Sequence, residues 1–316
     1  MKNKWSLFAA LCALAVLISA SRQVIEHCRY GLSLCVELIL PSLFPFFIVS
    51  GLLSRLGLAG AVEQLLSPLS RRLPVSGAGT SALLIGLTGG YPLGAAYLAD
   101  LARDGELTAE EAERLLAFCN NSGPAFLIGA VGTGVFGSPA LGLLLYGVHI
   151  AAALLTSLLF RKAPAPPCRH SHAAPLPFAH AFSEAVRQAV ISVLSVCGFV
   201  VCFTVFSGLL DANGFLSAAA GALSALLGPE LHWSRALLTG FWELGGGIGA
   251  MRGLQATPLN LALAAALVGW GGLSVHFQTL AAVADTEIKG TLHTAGRLCS
   301  AGFSFLLAWI AGTLLL

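Results

Sequence analysis

The sequence predicts an all-α polytopic membrane protein made of two inverted repeats with broken or re-entrant helices. Three observations predict it. Hydrophobic residues fill 56% of 316 positions and charged residues 10%, a balance that no water-facing globular surface holds. Six apolar stretches, residues 7–20, 34–53, 140–160, 188–210, 259–284 and 298–316, contain a single charge between them, Glu37, and a helix needs roughly 20 such residues to cross a hydrocarbon core. Finally, the chain matches itself in order. Ser50-Gly51-Leu52-Leu53 with Gly57 recurs as Ser207-Gly208-Leu209-Leu210 with Gly214, Gly90-Tyr91-Pro92-Leu93-Gly94 as Gly245-Gly246-Gly247-Ile248-Gly249, and Asn121-Ser122-Gly123-Pro124 as Trp270-Gly271-Gly272-Leu273.

The elements follow in chain order. Lys2 and Lys4 before an apolar run ending Ile18-Ser19-Ala20 have the form of a signal peptide. The embedded chain that follows favours an uncleaved anchor over residues 1–28. Lys and Arg mark the cytoplasmic side, so the span 34–53 runs inward to Arg55, Arg71 and Arg72. Residues 82–101 are then expected to cross outward and leave Asp104, Glu106, Glu110, Glu111 and Glu113 outside. The span 140–160 returns to Arg161-Lys162 and a cytoplasmic Pro-rich linker, 161–181. The first repeat thus covers 29–160 and the second 182–316. Their leading spans run in opposite directions, a plan of secondary transporters with the substrate at the midplane where the halves meet.

Unpaired backbone in a bilayer costs several kcal/mol per group, so a break in an apolar segment survives against protein or a wet cavity. Four breaks are expected: Gly89-Gly90-Tyr91-Pro92, Asn120-Asn121-Ser122-Gly123-Pro124, Gly245-Gly246-Gly247 and Gly269-Trp270-Gly271-Gly272. Pro92 and Pro124 lack an amide donor and end or kink the preceding helix. Polar residues gather at the same places. The substrate-binding candidates are Gly90, Tyr91, Pro92, Asn120, Asn121, Ser122, Gly123, Glu243, Gly246, Gly272, Ser274, His276 and Gln278. Helices restarting after a break present free amides and a positive dipole end, which suit an anionic or strongly polar solute. An acid in mid-bilayer costs about 2.5–3.5 kcal/mol on insertion scales, which marks Glu243 as functional. Arg252 lies too far round a regular helix to pair with it. Glu37 divides evenly between a site and an interfacial role, and His149 reads as a core histidine.

Other classes are excluded or disfavoured. A net charge of +2 with scattered basic residues excludes nucleic acid as a partner. There is no GxxxxGK[ST], HExxH or GxSxG. Ser274 with His276 lacks a third member, so no enzyme is expected. The cysteines read as small buried hydrophobes without CxxC pairs. Cys168, His170 and His172 lack a fourth ligand, so no metal or cofactor is expected.

Pro41-Ser42-Leu43-Phe44-Pro45-Phe46-Phe47, Gly90-Tyr91-Pro92-Leu93-Gly94-Ala95, Phe118-Cys119-Asn120-Asn121-Ser122-Gly123-Pro124 and Gly271-Gly272-Leu273-Ser274-Val275-His276-Phe277-Gln278 resemble the YlbJ-type family of sporulation integral membrane proteins. That family sits among the nucleoside-recognition, or gate-domain, membrane proteins. The resemblance implies dipicolinate transport across a forespore membrane, with the lipid bilayer, a coupling proton or cation, and other sporulation membrane proteins as partners. Two alternatives stand beside it: a nucleoside-type solute carrier, and a non-transporting assembly protein for sporulation. The family leads one to expect an Asn-containing stretch after Glu243, where this chain has Leu244-Gly245-Gly246-Gly247. A dianion would be opposed by a charged Glu243, so this residue is expected to be protonated when the solute binds.

Overall fold

A computed structural model describes residues 2–56, 77–160, 176–227 and 231–316. The described residues form helices and no strand: α1 (Lys2–Ser19), α2 (Ser21–Leu34), α3 (Leu40–Arg55), α4 (Gly77–Gly89), α5 (Leu93–Arg103), α6 (Ala109–Cys119), α7 (Pro139–Leu159), α8 (Phe178–Ala212), α9 (Phe215–Leu227), α10 (Leu231–Trp242), α11 (Leu244–Gly249), α12 (Pro258–Trp270), α13 (Gly272–Ala282) and α14 (Thr291–Leu315). Two segments, Cys35–Ile39 and Ala125–Thr133, are wound as π-helix. The first lies directly ahead of Pro41, which has no amide to give the Glu37 carbonyl. There the Leu40 amide reaches back five residues to the Cys35 carbonyl.

The architecture is an order of elements used twice. A hairpin (α4–α5), a broken helix (α6 with Ala125–Thr133) and a long span (α7) recur as a hairpin (α10–α11), a broken helix (α12–α13) and a long span (α14). The spans α7, α8, the pair α12–α13, and α14 are each long and apolar enough to cross a membrane. Residues 258–282 are the most enclosed of these, with 67% of their apolar window buried against 22% for α14. The broken helix is therefore inside the bundle, and α14 packs one face on it and turns the other outward. Helices come close because small residues allow it. A Cβ on Gly296 of α14 would lie 2.0 Å from the Ala117 carbonyl of α6.

A second body consists of α2 and α3, which run on through the π segment between them, and α8, on which both pack. Cys35, Ile39, Phe47, Ala189, Val193, Val196 and Val200 form its apolar seam. α8 runs for 35 residues without interruption, about 52 Å at 1.5 Å per residue.

Several expectations are corrected. Residues 82–101 do not cross: Gly90 (φ 81°) and the cis Tyr91–Pro92 peptide turn the chain, and α5 packs back on α4. The acidic stretch after Asp104 is accordingly at the same end as Arg55, since Arg55, Asp100 and Arg103 line one cavity. At that end Arg103 pairs with Asp285 and Glu113 accepts from Thr291. The N-terminal anchor is not one rod, because the chain bends by 96° between residues 10–19 and 21–37. The expected boundary at residue 28 falls within α2. Most of the linker, including Cys168, His170 and His172, lies outside the described residues, and α8 has already begun at Phe178.

Candidate functional site

In the first half, α4 ends at Gly90 and α5 restarts after Pro92. The turn lies against the break of the next helix, where a Cβ on Gly90 would sit 3.0 Å from the Gly123 amide. Only glycine at φ 81° permits that approach. α6 stops at Asn120, which is extended (φ −95°, ψ 99°). Its fully buried side chain links three elements: Nδ2 donates to Thr279 Oγ1 at 2.7 Å, and Oδ1 accepts from the Ala95 amide at 3.3 Å. The Ser122 amide donates to His149 Nε2 at 3.1 Å, so His149 ties α7 to the break.

In the second half the turn is made by Glu243. It is extended (φ −140°, ψ 119°), and its carboxylate accepts from the Gly245 amide at 2.9 Å and from the Gly246 amide. It is the N-cap of α11, and the two amides suit a carboxylate acceptor. The break expected at Gly245-Gly246-Gly247 is therefore at Glu243, because those glycines are helical. Arg252 is exposed and leaves Glu243 to the amides. α12 stops at Gly271 and α13 starts at Gly272, both with positive φ (85° and 78°). A Cβ on Gly272 would meet the Leu244 amide at 2.9 Å, so this break touches the second hairpin as Gly123 touches the first.

One buried arginine joins both halves. Arg297, on α14, is fully buried and makes no ion pair with a carboxylate among the described residues. Nε and Nη2 donate to the Gly269 carbonyl at 2.8 and 2.6 Å, Nη1 to the Asn120 carbonyl at 2.6 Å and to Asn121 Oδ1 at 3.2 Å, and Nη2 also to Ser300 Oγ at 3.0 Å. All five N–H groups are used. The two main-chain acceptors lie at the C-terminal ends of α12 and α6, where the helix dipoles supply the negative partner. The guanidinium also lies 5.5 Å from the centre of the Tyr91 ring, whose hydroxyl donates to the Val268 carbonyl at 3.1 Å.

Around these tips lie three cavities, strung along α8. A vestibule of 440 Å³ touches Gln188 to Ser195, a chamber of 60 Å³ touches Val196 and Val200, and a second vestibule of 260 Å³ touches Thr204 to Asp211. At 1.5 Å per residue these levels are about 10 and 14 Å apart, so the vestibules approach the chamber from opposite ends. The α4–α5 hairpin enters from the first vestibule, at Arg103, and the α10–α11 hairpin from the second, at Arg235. The repeats are therefore inverted. Gln278 borders both the first vestibule and the chamber, and Glu243 borders both the chamber and the second vestibule. By the roughly 10–15 Å³ that one water needs, the chamber has room for about four to six waters.

Of the candidate residues, Tyr91, Ser122, Gly123, Glu243 and Gln278 line the chamber, with Leu34, Ile39, Leu43, Phe126, Val196 and Val200 as apolar wall. Pro92 faces the first vestibule and Gly246 the second. The others lie behind the wall. Asn120 and Asn121 hold the break, the latter donating to the Phe118 carbonyl at 2.7 Å. Gly90 and Gly272 make the close approaches. Ser274 accepts from Gln278 Nε2 at 3.1 Å. His276 bonds the Gly272 carbonyl at 3.0 Å and packs on Trp270 and His293, so Ser274 and His276 have different partners. Glu37 is exposed on its π segment. Among the described residues no three metal-ligating side chains cluster.

Comparison with known proteins follows this geometry. The profile of the Gate family, described as nucleoside recognition, matches residues 36–160. The sporulation integral membrane protein YlbJ of Bacillus subtilis (strain 168) is 31% identical over 302 residues, which cover 87% of this chain and 74% of that protein. Among solved structures, a CNTnw variant in an outward-facing state shares the fold with a TM-score of 0.52 and 15% identity, over 94% of this chain and 86% of its own.

Proposed function

Because the chain belongs to the family of the sporulation integral membrane protein YlbJ, we propose that it is a secondary carrier, moving one small polar or anionic solute by exposing the chamber to each side in turn. The carrying observation is the row of three cavities along α8, divided at Gln278 and Glu243. A chamber with space for about four to six waters admits an organic solute only when a hairpin moves aside. The hairpins belong to the bundle of broken helices, and α8 with α2 and α3 supplies a separate wall against which they can shift.

The solute we favour is dipicolinate, moved into a forespore. Its carboxylates would face the helix starts after Pro92 and Pro124, neither of which has a side-chain cap. Glu243 is the charged group on the chamber wall, so a dianion calls for a coupling proton or cation there. A nucleoside is the second reading, favoured by the description of the matching family and by a wall that is mostly apolar.

The test is uptake by purified protein in proteoliposomes, with dipicolinate and uridine as solutes and Glu243→Gln and Gln278→Ala as variants. Saturable dipicolinate uptake altered by both variants supports the reading. Uridine uptake altered in the same way keeps the carrier and changes its solute. Uptake of neither, by protein whose folding is verified, refutes transport and favours the assembly role.

A further inference from the structure

Resting on the carrier reading, we infer that Arg55 is a capture subsite for an acidic group of the solute, and that an anion is therefore taken preferentially from the Arg55 end. Arg55 closes α3 and lines the larger vestibule. Its guanidinium is laid back along its own helix: Nη1 donates to the Gly51 carbonyl at 3.0 Å, and a Cβ on Gly51 would lie 3.2 Å from that nitrogen. Gly51 itself faces Ala185 of α8, so the charge sits on the wall made by α3 and α8. Among the described residues it makes no ion pair: the carboxylates of Asp100 and Glu184 lie near enough to feel its charge but are held by other arginines, which leaves an edge of N–H donors for bidentate binding.

The nearest acids are held by other arginines. Arg103, the other cation of this vestibule, donates to Asp100 and pairs with Asp285 at 3.2 Å. Glu184 on α8 pairs with Arg187 at 2.6 Å. At the opposite mouth the arginine of the second vestibule, Arg235, donates to Asp211. Among the described residues, one mouth thus holds an arginine outside any ion pair and the other does not. From the level of Ala185 to Val196–Val200 the path is roughly 16–22 Å at 1.5 Å per residue, so Arg55 acts before the solute reaches the chamber. It should set half-saturation and leave the maximal rate alone.

Right-side-out and inside-out membrane vesicles containing the protein present the two ends separately. We expect Arg55→Gln to raise half-saturation for dipicolinate about tenfold, the factor that corresponds to 1.4 kcal/mol, in the orientation that presents Arg55. The maximal rate and uridine uptake should be unchanged, and Arg55→Lys should recover part of the loss. An unshifted half-saturation, an equal shift in both orientations, an equal loss for uridine, or a wild type that carries uridine and no anion would each overturn the inference. A wild type that carries neither solute overturns the carrier reading instead.

Discussion

Replacing Arg297 with Leu should be the most damaging single change outside the chamber. The substitution leaves the Gly269 and Asn120 carbonyls and Asn121 Oδ1 without the donors they now have at 2.6–3.2 Å. Each buried group left unpaired costs about 1–3 kcal/mol. Three such acceptors give roughly 3–9 kcal/mol, offset by no longer burying a guanidinium, so about 3–5 kcal/mol is expected, the range found when one partner of a buried charged contact is removed. At roughly 2–4 °C per kcal/mol, the thermal midpoint in detergent should fall by about 6–20 °C. Arg297→Lys keeps the charge with three donors in place of five and should fall in between. A midpoint within about 2 °C of wild type for Arg297→Leu would refute the reasoning, because the two breaks would then be held together by something else.

Further predictions concern the hairpins and their contacts. Asn120→Ala removes bonds to Thr279 and the Ala95 amide and should cost on the order of 2–4 kcal/mol by the same pricing, read from the same melting curves. Gly296→Val forces apart α6 and α14, whose backbones leave no space for a Cβ, and should lower the yield of folded protein in size-exclusion chromatography. Asp211→Arg should change stability by no more than about 1 kcal/mol in the same melting curves, since its partner Arg235 is half exposed. If Glu243 takes up a proton with the solute, uptake by Glu243→Gln should no longer vary with pH, and equal dependence in variant and wild type would sink that coupling.

The long spans were legible because lipid demands an unbroken apolar run, and α7, α8, α12–α13 and α14 supply one. The first hairpin was not. Residues 82–101 satisfy the same length rule as a crossing helix, and nothing in apolar content separates a span from two half-length helices folded together. The breaks at Gly90–Pro92 and Asn120–Pro124 announced themselves through residues that cannot continue a helix, whereas the second hairpin turns at Glu243, one residue of extended backbone with no glycine or proline of its own. Arg297 escaped because a cation just before an apolar stretch reads as an interfacial flank. The helix begins six residues earlier, at Thr291, and carries the charge inside. The candidate list grouped polar residues by the break they adjoin, and that grouping could not separate Asn120 and Asn121, which face the scaffold, from Ser122, which faces the chamber.

The length of α8 has a consequence for where the solute is first met. A rod of about 52 Å would have to lean by roughly 55° to hide within 30 Å of hydrocarbon, beyond the 0–40° that membrane helices show. Even at 40° about nine of its residues stand clear of the acyl chains. His180, Glu184 and Arg187 mark the end that does so, and Arg55 packs near that end, opposite Ala185. The broad mouth of the molecule therefore rises into the headgroup layer and the water above it. Attraction between Arg55 and an anion would there be weakened by dissolved salt over a Debye length of about 8 Å at physiological ionic strength, while contacts made deeper in the bundle would be indifferent to it.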